Sequence, residues 1–412
     1  MTKSDDKRVP TLRFKGFTDE WEQRKLNSFL VEYKKKTKIN NQYPVLTSSR
    51  QGIFFQKDYY DGNQIASKNN VGYNIVPRDY FTYRHMSDDT IFHFNINTLC
   101  DYGIVSTLYP VFTTINQLSS SWLYYYLNYG NDMKRYALLQ KQGGSRTYMY
   151  FSKLKNMLAH IPSVKEQDSI AKILLKIDKL ITLQQRKLKL LKLLKKAMLQ
   201  TLFTNKSIPN LRFISFDKSW DIVKLKDVGK ATGGTSIESE FTSIEGTHKV
   251  ISIGSYKENH TYNDQGIRVN LNDKTKKRVL NKDDLTMILN DKTTSGRIIG
   301  SVLLIPVDNV FVYNQRTERI EPNHKKFSSK FLYQYLNSPN IRNKIVSNAQ
   351  GNTQIYVNWS SISKIKYLMP QKKEQDKISK LLFILDFIIN NQQLRIKKYE
   401  RFKQFLLQNM FI

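Results

Sequence analysis

The sequence predicts an α+β fold built twice over, in the order globular α/β unit, long helix, globular α/β unit, long helix. Three observations carry this reading: the chain repeats itself, two segments keep a heptad pattern for more than four heptads, and short β-rich runs fill the stretches between. At 412 residues the chain is also too long for one core of ordinary size, so two units are the starting expectation.

The repeat opens with Pro10-Thr-Leu-Arg13-Phe14, Phe17 and Trp21, echoed by Pro209-Asn-Leu-Arg212-Phe213, Phe216 and Trp220 at a constant offset of 199. Further on, Trp122-Leu123-Tyr-Tyr-Tyr-Leu127-Asn128 answers Phe331-Leu332-Tyr-Gln-Tyr-Leu336-Asn337. Gln142-Gly143, Tyr148 and Phe151 likewise answer Gln350-Gly351, Tyr356 and Trp359, now at an offset of about 208. The most specific echo is Pro162-Ser-Val-Lys165-Glu166-Gln167-Asp168 against Pro370-Gln-Lys-Lys373-Glu374-Gln375-Asp376, and the match runs on to Leu202-Phe203 and Met410-Phe411. The boundaries that follow are a first unit over 1–161, a helix over 162–204, a second unit over 205–369 and a second helix over 370–412.

In the first helix the apolar positions step by four and three through Ile170, Leu174, Ile177, Ile181, Gln184, Leu188, Leu191, Lys195, Met198 and Leu202. The second repeats them at Ile378, Leu382, Leu385, Ile389, Gln392, Ile396, Tyr399, Lys403, Leu406 and Met410. The polar interruptions coincide, Gln184 with Gln392 and Lys195 with Lys403, as expected where polar seam residues set the register of one specific pairing. A pseudo-twofold with the helices antiparallel is the natural closure of such a repeat. A helix of about 40 residues is roughly 60 Å long, a rigid ruler between two units. Its outer lysines (Lys172, Lys176, Lys179, Lys187, Lys192, Lys196; Lys377, Lys380, Lys397, Lys398) fit a solvated face as well as contacts with phosphate or a partner.

Between the shared pieces lie β-rich runs at Pro44-Val-Leu-Thr, Gly103-Ile-Val-Ser-Thr-Leu, Lys249-Val-Ile-Ser-Ile, Ile298-Ile-Gly-Ser-Val-Leu-Leu-Ile and Asn309-Val-Phe-Val-Tyr. Helical stretches follow near Ser121 to Leu139 and Ser329 to Val346, so each unit reads as a mixed or antiparallel sheet with helices. The two copies differ most in their middles.

A formal charge of +31, from 66 Lys+Arg against 35 Asp+Glu, attracts polyanions, and nucleic acid is the partner it favours. The alternative left open by composition is a basic scaffold that binds DNA without sequence preference. Hydrophobic content of 40% is ample for packed cores. A lone cysteine, Cys100, excludes an internal disulfide, and six scattered histidines lack ligand spacing, so a reducing cytoplasm and no metal are expected. The charged N-terminus has no apolar run behind it, and the longest apolar stretch, Leu381 to Ile389, is broken by Asp386 and too short for a bilayer. No membrane role is expected.

Reading base edges needs hydrogen-bonding side chains on loops that reach a groove. In the first unit the candidates are Arg50 and Gln51 after Ser49, Arg84 after Tyr83, and Ser145 and Arg146 after Gly143-Gly144. In the second they are Arg297 in Thr293-Thr-Ser-Gly-Arg297, then Asn314-Gln315-Arg316, and Asn352-Thr353-Gln354. No adjacent prolines occur, so the Asn-Pro-Pro-Tyr type of amino-methyltransferase motif is absent, and no Gly-x-x-x-x-Gly-Lys-Ser/Thr phosphate loop is present. Asp19 with Glu32-Tyr-Lys34 lacks a nuclease context, and Gly229-Lys230 and Gly233-Gly234 read as turns. No catalytic residue is assigned.

The Pro-x-Leu-Arg-Phe-x-x-Phe-x-x-x-Trp openings at Pro10 and Pro209, with the Pro-x-x-x-Glu-Gln helix starts at Pro162 and Pro370, resemble the type I restriction-modification specificity subunit family over essentially the whole chain. The resemblance implies two target recognition domains separated by two antiparallel helices, reading a bipartite asymmetric double-stranded DNA site with a fixed gap. It further implies a complex with two methyltransferase (modification) subunits, which methylate adenine, and two motor-nuclease (restriction) subunits. S-adenosylmethionine, ATP and Mg would belong to those partners, the helices from Pro162 and Pro370 would dock the methyltransferases, and this chain would be the non-catalytic reader.

Overall fold

The computed structural model describes residues 9–62, 68–141, 145–243, 245–352 and 354–412. Two units divide it, Met1–Gln185 with Leu394–Ile412, and Arg186–Gln393, so each contains a globular region, the start of the long helix that follows it and the end of the other long helix.

Both units share a frame. In the first, an antiparallel four-stranded sheet runs in the order Leu30–Glu32, Val111–Thr114, Phe81–Tyr83, Phe94–Ile96. In the second, the order Gly229–Gly233, Thr317–Pro322, Leu285–Ile288, Val302–Leu304 is again antiparallel. Glu22–Lys25 pairs with Leu158–Ile161 and Asp221–Lys224 with Lys366–Met369, joining the entry of each unit to the strand before its long helix.

The middles differ, as their sequences predict. The first unit holds a hairpin of Leu46–Ser49 with Gly52–Phe55 and a pair of Asn74–Pro77 with Tyr102–Val105. The second holds a further four-stranded sheet, ordered Thr242–Ser243, Ile267–Val269, His248–Ile251, Phe311–Tyr313, whose last pair is parallel. Of the predicted run Ile298–Ile305 only Val302–Leu304 is strand.

Each helical stretch breaks in two. Ser120–Tyr129 and Asn131–Leu139 meet at extended Gly130, where a Cβ would come 2.6 Å from the Tyr126 carbonyl oxygen. Ser329–Leu336 and Pro339–Val346 part because a proline at the first helical position cannot continue a preceding helix.

The long helices are Val164–Leu202 and Lys372–Asn409, and they are antiparallel. In the first unit Lys403 pairs with Asp178 at 2.7 Å; in the second Lys195 pairs with Asp386. An offset of 208 carries one pair onto the other. The second oxygen of each aspartate ties the seam to the globular region, accepting from the Tyr125 hydroxyl at 2.7 Å and from the Gln334 amide at 2.7 Å. The seam positions are the shielded ones: Ile170, Leu174, Ile177, Ile378, Leu382, Leu385, Ile389, Gln392 and Ile396 are buried, and Ile181, Gln184, Leu188, Leu191 and Tyr399 half-buried.

The helix ends complete the cores. Phe411 sits 6.2 Å from Trp122 in the first, where Trp21 meets Trp122 edge to face at 5.9 Å. Its counterpart Phe203 meets Phe331 and Tyr335 edge to face in the second.

The repeated sequence motifs fold onto each other. Arg13 donates Nε and Nη2 to the two carboxylate oxygens of Glu166 at 2.6 and 2.7 Å, and Arg212 does the same to Glu374 at 2.8 and 2.8 Å. Both glutamates lie in the first turn of a long helix, where a negative charge also meets the unpaired N–H groups. The neighbouring glutamines span two segments: Gln167 accepts from Ser119 N–H and donates to the Pro162 carbonyl, and Gln375 accepts from Ser328 N–H and donates to that of Pro370. Glu-Gln thus anchors the opening motif, the first core helix and the long helix at one point.

Candidate nucleic-acid interface

The candidate loops gather on one short ladder in each unit. Met86–Ser87 pairs with Thr147–Tyr148 in the first, and Asn290–Asp291 with Ile355–Tyr356 in the second. Tyr148 and Tyr356 are repeat equivalents, so the two ladders occupy the same place in the common frame.

Around the first ladder three arginines from separate segments converge. Arg50 stands on the hairpin turn and Arg84 just before the ladder, both on a cleft of about 240 Å³ that Tyr59, Tyr60, His93 and Tyr109 also line. Arg146 precedes the ladder's second strand and donates to Asp88 at 3.1 Å. Arg84 is exposed and enters no ion pair among the described residues. Gln51 and Ser145 are exposed. Burial in the cleft wall pushes the His93 imidazole pKa down, favouring its neutral form. Beside the ladder, His85 stacks on Tyr150 at 5.0 Å and Tyr150 on Tyr148 at 5.8 Å, with Tyr150 49% exposed, an aromatic surface that loop-by-loop reading of the sequence missed.

Around the second ladder the loops are held more tightly. Asp291 accepts from the Thr293 hydroxyl and from Ile298 N–H. Arg342, half-desolvated with its pKa lowered by burial, donates to the carbonyls of Gly296, Arg297 and Ile299. The Arg297 side chain itself points outward, 3.0 Å from Glu258. Arg316 is exposed in the left-handed region at φ 68°, its carbonyl accepting from Leu289 N–H. Gln315 donates to Glu238 at 3.0 Å.

Asn314 stands apart from the surface candidates. It is 3% exposed, its oxygen accepts from Ile237 N–H at 3.1 Å and its nitrogen donates to Glu238, so its side chain closes a loop rather than facing a groove. Asn352 and Gln354 are exposed on the segment before the ladder's second strand. Thr353, like Gln142, Gly143 and Gly144, lies outside the described residues.

Among the described residues no group of three His, Cys, Asp or Glu side chains could hold a metal ion, and no helix is long and apolar enough to cross a membrane.

Two copies of one frame, each closing on the other copy's helix and each presenting a different basic rim, define a duplicated recognition architecture. The chain belongs to the family of the type I restriction modification DNA specificity domain, whose family model matches it twice, over residues 11–193 and 217–398. It is similar to the type I restriction enzyme MjaVIII specificity subunit of Methanocaldococcus jannaschii, 26% identical over 259 residues, which cover 61% of this chain and 60% of that protein. It is also similar to the putative MjaX specificity subunit of the same organism, 23% identical over 296 residues that cover 70% of this chain and 66% of that one. The alignments thus span about three fifths to two thirds of those relatives' lengths. In fold it is like the S subunit of a type I restriction-modification system from M. genitalium, with a TM-score of 0.57 at 15% identity, covering 98% of this chain and 99% of that one.

Proposed function

We propose that this chain is the non-catalytic DNA-specificity subunit of a type I restriction-modification complex, each unit reading one half of a bipartite, asymmetric site. The observation that carries the reading is a duplicated frame with divergent middles, whose candidate arginines surround equivalent ladders in a chain of charge +31. Unlike middles on like frames suit two different half-sites; phosphate attraction to the basic surface supplies affinity and the rims supply discrimination.

Two methyltransferase subunits would dock on the long helices, with two motor-nuclease subunits joining them, and S-adenosylmethionine, ATP and Mg would bind to those partners. The helices carry exposed apolar side chains off the seam, among them Leu183, Leu190, Phe387, Phe402 and Phe405, and an equivalent groove opens at the start of each, against Leu175 in one copy and Phe383 in the other. Apolar surface of this extent on a charged helix pair fits a protein partner.

Selection of bound duplexes from a random 30-bp pool, with the methyltransferase subunit co-expressed, tests the reading. Enrichment of two short sequences at fixed separation is expected. Salt-sensitive binding with no enriched sequence would instead support a basic scaffold without sequence preference.

A further inference from the structure

Three of the candidate reading arginines are already engaged by exposed carboxylates. Asp89 takes Arg50 in a two-bond fork at 2.7 and 2.5 Å, and is itself oriented by the Ser87 hydroxyl at 2.9 Å and Ile91 N–H at 3.2 Å. Its neighbour Asp88 takes Arg146 at 3.1 Å. In the second unit, with an unrelated middle, Glu258 takes Arg297 at 3.0 Å. The carboxylates are 47%, 67% and 64% exposed, so none of these pairs is needed to satisfy a buried charge. In a chain so poor in acidic residues, the same arrangement on both rims calls for a role.

We propose that Asp88, Asp89 and Glu258 are specificity-determining positioning residues, holding Arg50, Arg146 and Arg297 aimed and charge-neutralised so that phosphates of arbitrary sequence do not capture them. The inference rests on the reading that these rims contact DNA. A free arginine gains from any phosphate it meets. An exposed carboxylate partner weakens that gain by only about 1.5- to 5-fold per pair. A two-bond contact to the correct base edge discriminates by roughly 5- to 150-fold and still displaces the carboxylate. The same cost falls on a base contact, which keeps most of its larger gain, whereas a phosphate contact keeps little, so the clamp withholds the arginines from phosphate and still releases them to the correct base edge. Hydrogen bonds from Arg50 and Ser87 hold the Asp89 carboxyl well below the usual carboxylate range, so Asp89 stays charged at any working pH.

The test uses the full-length chain and a fluorescent 30-bp duplex of random sequence, with affinity measured by anisotropy over a series of KCl concentrations. Asp88→Asn/Asp89→Asn is expected to bind about 2- to 25-fold tighter than the parent. The slope of log K against log[KCl] should steepen by up to about 2, as two more phosphates are engaged. Adding Arg50→Ala/Arg146→Ala should return affinity to the parent value or below it, and Asp88→Glu/Asp89→Glu, which keeps the charge, should leave the slope unchanged. The charge-matched control is Asp58→Asn/Asp79→Asn, two exposed carboxylates that enter no ion pair among the described residues. An equal gain in that control, or an unchanged slope in the clamp variant, overturns the proposal while leaving the DNA reading intact. No binding of any duplex by the parent at low salt overturns both. Glu258→Gln repeats the test on the other unit, with a gain of about 1.5- to 5-fold expected.

Discussion

Replacing Glu166 by Gln keeps the side chain's shape and removes its charge, isolating what the Arg13 pair contributes. Glu166 is 1% exposed and accepts two charge-assisted bonds, at 2.6 and 2.7 Å, from an Arg13 side chain that is 15% exposed. The amide can accept only one of them, and a hydrogen bond to a charged group contributes about 1.5–3 kcal/mol. The lost negative charge at the helix start adds about 0.3–1 kcal/mol. A loss of about 2–4 kcal/mol follows, near the range of about 3–5 kcal/mol for stripping one partner from a buried pair. Hydrogen exchange followed by mass spectrometry reads this locally: amide protection at the start of the Val164–Leu202 helix should fall by a factor of roughly 30 to 1,000. Arg13→Met/Glu166→Met, which leaves no orphan charge, should recover much of the loss. A fall of less than about threefold in Glu166→Gln would show that the pair behaves like an exposed one and would refute the anchoring role assigned to the repeated Arg and Glu.

Further outcomes follow from the same geometry. Lys195→Met removes the cation from a seam pair whose partners are both about a quarter exposed while leaving the Gln334 bond to Asp386 in place, so a loss of about 1 kcal/mol and a melting shift of roughly 2–4 °C are expected by calorimetry; no shift would mean the pair is fully screened. Phe411→Ala and Phe203→Ala should each cost about 3–5 kcal/mol in urea unfolding, the first reported by Trp122 fluorescence; an effect under about 1 kcal/mol would mean the helix ends are not part of the cores. Burial pushes the Glu318 carboxyl up to about 7, so the folded chain holds its proton, and the stability this group contributes is full below pH 4.5 and lost as pH rises through 7. Glu318→Gln should therefore raise the melting temperature at pH 8, by up to about 3 kcal/mol in stability, and leave it nearly unchanged at pH 4; an equal effect at both pH values would contradict the sign.

The duplicated frame was legible because its signals are local or strictly periodic: Pro-x-Leu-Arg-Phe, Pro-x-x-x-Glu-Gln and the heptads each sit within a few turns of chain. What joins them was not. Nothing in local sequence states that Arg13 reaches Glu166, although both recur in register in the second copy. Lys195 and Lys403 were visible as interruptions, whereas their partners Asp386 and Asp178 each lie on the opposite, antiparallel helix of the seam, a contact that only folding creates. The loop candidates were chosen by residue type, which cannot separate an exposed arginine from Asn314, whose amide is consumed by Ile237 and Glu238. The carboxylates facing Arg50, Arg146 and Arg297 escaped for the same reason, being 39 or more residues away along the chain.

The most direct test of the account is a map of adenine methylation across a genome in cells carrying the methyltransferase subunit with this chain, with this chain absent, and with residues 22–157 or 221–366 exchanged for those of a relative. A bipartite methylated motif is expected only when the chain is present, with each exchange changing one half-site and leaving the other untouched. Methylation that is independent of the chain, or a motif whose halves change together under either exchange, would contradict it.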